Sequence, residues 1–226
     1  RAQDNWRSIG PNLKAAGYCV FALTYGMDPR TRTWPYRPGG TIPAEQSAPE
    51  IGAFVDRVLS ATGAGQVDFV GHSEGTMTPR YYLERLGGAP KVLRYVALTP
   101  LWRGTNLAEA ALLRDAGGPV SPLVLGGFNQ FCGFCTEALA GSAFLNDLNA
   151  DGEAIPGIEH TNIATTHDEL VVPYTSGIMR DGGTNIVLQD VCPADPSEHV
   201  AVAFDPAVMQ MILNALDPEH AAPIPC

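Results

Sequence analysis

A serine set between two glycines, directly after an apolar run, is the first group in this chain equipped for covalent chemistry. Val67-Asp68-Phe69-Val70 leads into Gly71-His72-Ser73-Glu74-Gly75, and a helical pattern follows through Tyr82 and Leu86. A strand-to-helix turn this tight admits only small neighbours and holds the serine hydroxyl exposed, as a nucleophile requires. Gly71 and Gly75 are expected to supply the room. The following helix directs its positive end at the turn, and the backbone N–H of Glu74 is placed to bind a developing oxyanion. Gly-x-Ser-x-Gly alone is a weak signal; the strand before it and the helix after it make it specific.

A serine hydroxyl is a poor nucleophile at neutral pH and needs a general base, which in turn needs an orienting carboxylate. In the α/β-hydrolase fold, whose nucleophile turn has this form, the chain order is serine, acid, histidine. Position therefore ranks the candidates. Asp168, in Thr165-Thr166-His167-Asp168-Glu169, lies just beyond a strand pattern and is the expected acid, with Glu169 its nearest competitor. Asp190 and Asp195 read as solvated loop carboxylates. His199, in Pro196-Ser197-Glu198-His199-Val200, lies after the next strand pattern and ahead of the last helix, where the base belongs. His167 is its rival, His160 and His220 are out of order, and His72 reads as a side chain packed beside the site.

The elements that must position these groups follow an α/β rhythm. Trp6, Ile9 and Leu13 recur at helical spacing over Asn5 to Ala16, and Gly17 closes the run. Tyr18 to Tyr25 is a continuous apolar run and predicts a strand buried on both faces of a parallel sheet. Gly26 to Pro49 reads as a loop, and Glu50 to Leu59 as a helix ended by Thr62-Gly63-Ala64-Gly65. Strands are further predicted at Val67 to Val70, Val92 to Leu98, Thr161 to Thr165 and Asn185 to Val191, with a final helix from Pro206 to Leu216. The stretch from 100 to 159 interrupts the alternation with helical pieces at Leu107 to Arg114 and Thr136 to Leu148. An insertion at the carboxyl edge of a sheet is expected to roof the site as a cap or lid, the alternative being a packed peripheral helix pair. Leu123-Val124-Leu125 and Phe128 to Phe134 are candidates for an acyl groove or for ordinary core. The 226 residues fit one such domain.

Composition narrows the function classes. A formal net charge of -10, from 14 Lys and Arg against 24 Asp and Glu, leaves no basic face for nucleic acid. No apolar run reaches the length of a membrane span. The chain begins with Arg1 and carries no leader pattern, so processing or truncation is expected upstream. Five cysteines, Cys19, Cys132, Cys135, Cys192 and Cys226, leave at least one without an intrachain partner. No second Cys-x-x-Cys or paired histidine completes a metal site with Cys132 and Cys135, so structural disulfides and an oxidising, extracellular setting are expected.

Taken together, the Gly71 to Gly75 turn, Tyr81-Tyr82-Leu83, Thr165 to Glu169 with Val172-Pro173-Tyr174, and Ser197-Glu198-His199 resemble secreted bacterial triacylglycerol lipases of the class 2 α/β-hydrolase group, especially those of actinobacteria. The resemblance covers nearly the whole chain. It implies Ser73 as nucleophile, Asp168 as acid, His199 as base, a lipid-ester substrate, a secretory signal peptide and no cofactor. The same machinery serves polyester or cutin hydrolysis and acyl transfer, and a non-catalytic binding protein can retain the motif. Members of the group also carry a strand ending in His-Gly, whose following backbone gives the second oxyanion N–H. Arg1 to Trp6 resembles the segment just after it. That early strand is therefore expected upstream of Arg1, and residues 1–226 alone are expected to show weak or no activity.

Overall fold

The computed structural model describes residues 2–31, 33, 35, 37–106 and 132–226. Four parallel strands, β1 (Val67–His72), β2 (Val92–Leu98), β3 (Glu159–Ala164) and β4 (Thr184–Val187), lie side by side in chain order. Parallel pairing puts all four carboxyl ends on one edge, where loops can converge on a site. The expected α/β architecture is observed, with helices on both faces of the sheet.

Strand β2 shows how the sheet is covered. Its successive side chains point to opposite faces. Val96 and Leu98 pack with Ile9 and Leu13 of α2 (Ile9–Ala15) and with Val208 and Ile212 of the C-terminal helix, Pro206–Leu216. Tyr95 and Ala97 pack instead with Ile51 and Val55 of α3 (Ala44–Thr62) and with Tyr82 and Leu83 of α4 (Glu74–Arg85). Each face thus has its own core, which is why this strand is apolar without alternation. The C-terminal helix begins as its sequence requires: Asp205 accepts from the Ala207 and Val208 N–H groups at 2.7 and 3.2 Å, and Pro206 fills the first turn.

Several boundaries differ from the sequence reading. The helix expected over Asn5 to Ala16 is two pieces, α1 (Ala2–Asn5) and α2. Helix α3 starts at Ala44, inside the stretch read as loop, and carries Pro49 as its sixth residue, which has no N–H to offer the Glu45 carbonyl. The strand expected at Asn185 to Val191 ends at Val187, and Leu188–Val191 forms a helical turn.

The largest correction concerns Tyr18 to Tyr25, which forms no strand. A strand needs a ladder partner, and among the described residues β1 is paired on one edge only, with β2. An apolar slot of about 590 Å³, lined by Tyr18, Val20 and Leu23 on one side and Val67, Phe69 and Val70 on the other, separates the segment from β1. The apolar run is consequently not buried on both faces: Val20 is 38% and Phe21 49% exposed.

Of the 100–159 stretch, the expected piece Leu107 to Arg114 and the apolar Leu123-Val124-Leu125 lie outside the described residues. The piece expected at Thr136 to Leu148 is two short helices, α5 (Gly133–Glu137) and α6 (Ala143–Leu148). Phe134, Ala138, Leu145 and Leu148 form a third core with Met77, Leu101 and Val171, so Phe134 is core. Cys132 is bridged to Cys135, and Cys192 to Cys226 across 34 residues, while Cys19 is free and exposed. The longer bridge restricts the unfolded chain by an amount worth about 3 to 4 kcal/mol in the loop-entropy treatment. Among the described residues no helix is long and apolar enough to cross a membrane.

Candidate active site

Ser73 stands at the junction of β1 and α4 with φ 56° and ψ -122°, a backbone conformation a side-chain-bearing residue adopts only when its surroundings enforce it. Here the Ser73 N–H is held by the Leu98 carbonyl of β2 at 3.0 Å, and the Ser73 carbonyl accepts from the Thr76 N–H and hydroxyl at 2.9 and 2.6 Å. Of the two flanking glycines expected to supply the room, Gly71 is the one the turn demands. A Cβ there would stand 2.2 Å from the Gly75 carbonyl oxygen, whereas one at Gly75 would meet the Tyr25 hydroxyl at an ordinary 3.8 Å.

Glu74 opens helix α4, so its N–H is a free first-turn donor next to the serine. Its side chain turns away into the interior, where the carboxylate accepts from the Tyr25 hydroxyl at 2.7 Å and the Thr78 hydroxyl at 2.5 Å. Burial raises the pKa of this carboxyl despite those two donors. Gly40, at φ +66°, makes room for it, since a Cβ there would stand 2.7 Å from Glu74 Oε2.

Asp168 and His199 are brought together 31 residues apart in sequence. His199 Nδ1 lies 2.9 Å from Asp168 Oδ1 and 3.1 Å from Oδ2, with the side chains 3% and 1% exposed. The carboxylate is itself fixed, accepting from the Leu170 and Val171 N–H groups at 3.0 and 2.7 Å. The two loops are stitched together as well: the Thr165 hydroxyl donates to the Ser197 carbonyl at 2.7 Å, and the Ser197 hydroxyl to Asp205 Oδ2 at 2.6 Å.

The competing candidates have other partners. Glu169 accepts from the backbone N–H of His199 at 3.3 Å, so it holds the loop and leaves the ring to Asp168. Asp195 accepts from the Ser197 N–H at 2.8 Å. His167 is exposed beside Gln189, His220 is exposed beside Asp217, and buried His160 accepts from the Ile155 N–H at 3.1 Å. His72, expected to pack beside the site, also meets the His199 carbonyl and Asn5 with its ring nitrogens. No local pattern announces a partner 127 residues away.

A third carboxyl lies on α5. Glu137 accepts from the Ala44 N–H at 2.8 Å, and burial, with the Glu45 and Glu74 carboxylates nearby, pushes its pKa from 4.5 up to about 7. The folded state therefore holds a proton that the unfolded chain loses, and this residue's contribution, intact below pH 4.5, is lost as pH rises toward 7. Glu137→Gln keeps an oxygen for Ala44 and removes the ionisation. It is expected to stabilise the protein at pH 8 by about 1 to 2 kcal/mol, after allowance for partial solvent screening, and by little at pH 4.5. Urea unfolding at the two pH values measures the difference.

Comparison with known proteins places these features. The family Lipase (class 2) matches residues 1–212. Among solved structures, lipase B of Aspergillus fumigatus superposes with a TM-score of 0.65 at 17% identity, over 83% of this chain and 44% of that one. Bacillus licheniformis lipase BlEst2 in its propeptide form gives 0.59 at 11% identity, over 80% of this chain and 42% of the other. The pyrethroid hydrolase PytH gives 0.55 at 16% identity, over 97% and 94%. The chain spans less than half the length of the first two, and likeness at these identities bears on the fold.

Proposed function

Because the chain belongs to the class 2 lipase family, we propose that it hydrolyses carboxylic esters of lipids through an acyl-enzyme on Ser73. The observation that carries the proposal is the buried Asp168–His199 contact, whose histidine backbone meets His72, the residue before a serine held at positive φ. In this reading the Ser73 hydroxyl attacks the ester carbonyl as its proton passes to His199 Nε2, while Nδ1–H donates to Asp168 and stabilises the imidazolium. The tetrahedral oxyanion is met by the Glu74 N–H and the amino end of α4. Collapse expels the alcohol with the proton from His199; water, deprotonated by the same ring, then releases the acid and restores the serine. None of these steps calls for a metal or cofactor.

The described helices of the 100–159 stretch, α5 and α6, are read as part of a cap within one domain. Two disulfides and the class 2 resemblance favour an extracellular enzyme. Hydrolysis of p-nitrophenyl esters of rising acyl length tests the substrate class: turnover is expected to extend to long chains. A preference confined to acetate and butyrate contradicts a lipase and leaves a short-chain esterase. Release of soluble products from a polyester film in place of triacylglycerol hydrolysis would favour the polyester or cutin reading.

A further inference from the structure

We propose that His72 is a positioning residue for His199, holding the backbone carbonyl of the general base so that its imidazole stands at a fixed place above the serine turn. The inference rests on the triad reading above. His72 Nε2 lies 2.8 Å from the His199 carbonyl oxygen, and Nδ1 lies 2.9 Å from Asn5 Oδ1. The two imidazole rings are 5.1 Å apart, tilted by 37°. One side chain thus ties the residue before the nucleophile to the loop that carries the base.

Proton placement follows from the partners. A carbonyl can only accept, so Nε2 must carry the hydrogen. A second proton on Nδ1 would make a buried cation beside His199. Burial, reinforced by His199, pushes the His72 pKa down to about 4, although the hydrogen bond to His199 and the carboxylates of Asp168 and Glu198 act the other way. The ring is therefore neutral at pH 7, with Nδ1 as an acceptor. Asn5 satisfies it by turning its NH₂ group inward, a half-turn that an amide makes without changing shape. The relay runs from Asn5 through Nδ1, across the ring, and from Nε2–H to the His199 carbonyl.

This gives His199 two anchors of different kinds. Asp168 fixes the ring at Nδ1, and His72 fixes the backbone from which the ring projects. Without the second anchor the ring keeps its proton relay but shifts relative to Ser73, and displacement of about 1 Å in such a group costs on the order of 100-fold in rate.

Three variants test the role. His72→Phe fills the space without a donor, His72→Gln offers an N–H at similar reach, and Asn5→Ala releases the tautomer. Each is measured for kcat and KM on a soluble ester, for the rate of fluorophosphonate labelling of Ser73, and for melting temperature. His72→Phe is expected to lower kcat and the labelling rate about 10- to 100-fold with KM little changed. His72→Gln should recover most of the loss, and Asn5→Ala should fall between. If His72→Phe does not fold, His72→Asn, too short to reach the carbonyl, replaces it. Wild-type rates in the variant without the donor overturn the proposal. Equal losses in the Phe (or Asn) and Gln variants do so too, because only packing would then matter. Failure of the triad reading has a different signature, in which Ser73→Ala itself remains active and is still labelled.

Discussion

Ser73→Ala is expected to lower kcat on an activated ester by about a million-fold while leaving the melting temperature close to that of the wild type. The expected rate effect is large because every later step of the proposed mechanism depends on the serine oxygen: without it His199 would have no hydroxyl to deprotonate and no acyl-enzyme would form. The residual rate, about 1,000- to 10,000-fold above water, should come from substrate binding and the Glu74 N–H, which the substitution leaves in place. Stability should change little because the turn is held through the backbone. The Ser73 N–H bond to Leu98 and the Thr76 bonds to the Ser73 carbonyl are unaffected, and alanine inherits the same φ. Differential scanning calorimetry beside the kinetics separates a lost nucleophile from a collapsed turn.

Asp168→Asn is expected to lower kcat about 10,000-fold, again without unfolding the loop. An asparagine oxygen can still accept from the Leu170 and Val171 N–H groups, so the local turn persists. Its NH₂, however, favours the His199 tautomer with the hydrogen on Nε2, which cannot accept the serine proton. The neighbouring Glu169→Gln supplies the contrast. Glu169 accepts from the backbone N–H of His199, an interaction a glutamine oxygen reproduces, so activity should stay within a few-fold of wild type. Reversed effects in the two variants would move the acid role to Glu169.

What the sequence made legible was mostly local. The strand-to-helix turn that carries Ser73 depends on Gly71, two positions away, and on the elements on either side, so it was legible before any tertiary contact was known. The same holds for Asp205-Pro206, whose cap opens the last helix where expected. The order serine, acid, histidine put Asp168 and His199 first among the candidates, and these two side chains meet. Tyr18 to Tyr25 failed because apolarity supplies the side chains of a strand but not its ladder partner, and β1 is paired on one edge only among the described residues. The end of β4 failed because Leu188–Val191 is short enough for tertiary packing to outweigh its strand propensity. The partners of Glu169 and His72 were illegible for a third reason: each is a single long-range hydrogen bond, and such bonds leave no period in a sequence. The odd cysteine count required at least one unpaired thiol, but only the fold identifies it as Cys19.

The central claim, that Ser73 is a nucleophile activated by His199 and Asp168, is tested most directly by treating the protein with a fluorophosphonate and locating the adduct by peptide mass spectrometry. The account predicts one phosphonyl group, on Ser73, absent in Ser73→Ala and formed far more slowly in His199→Ala. An adduct on another residue, or undiminished labelling of Ser73→Ala, would contradict it.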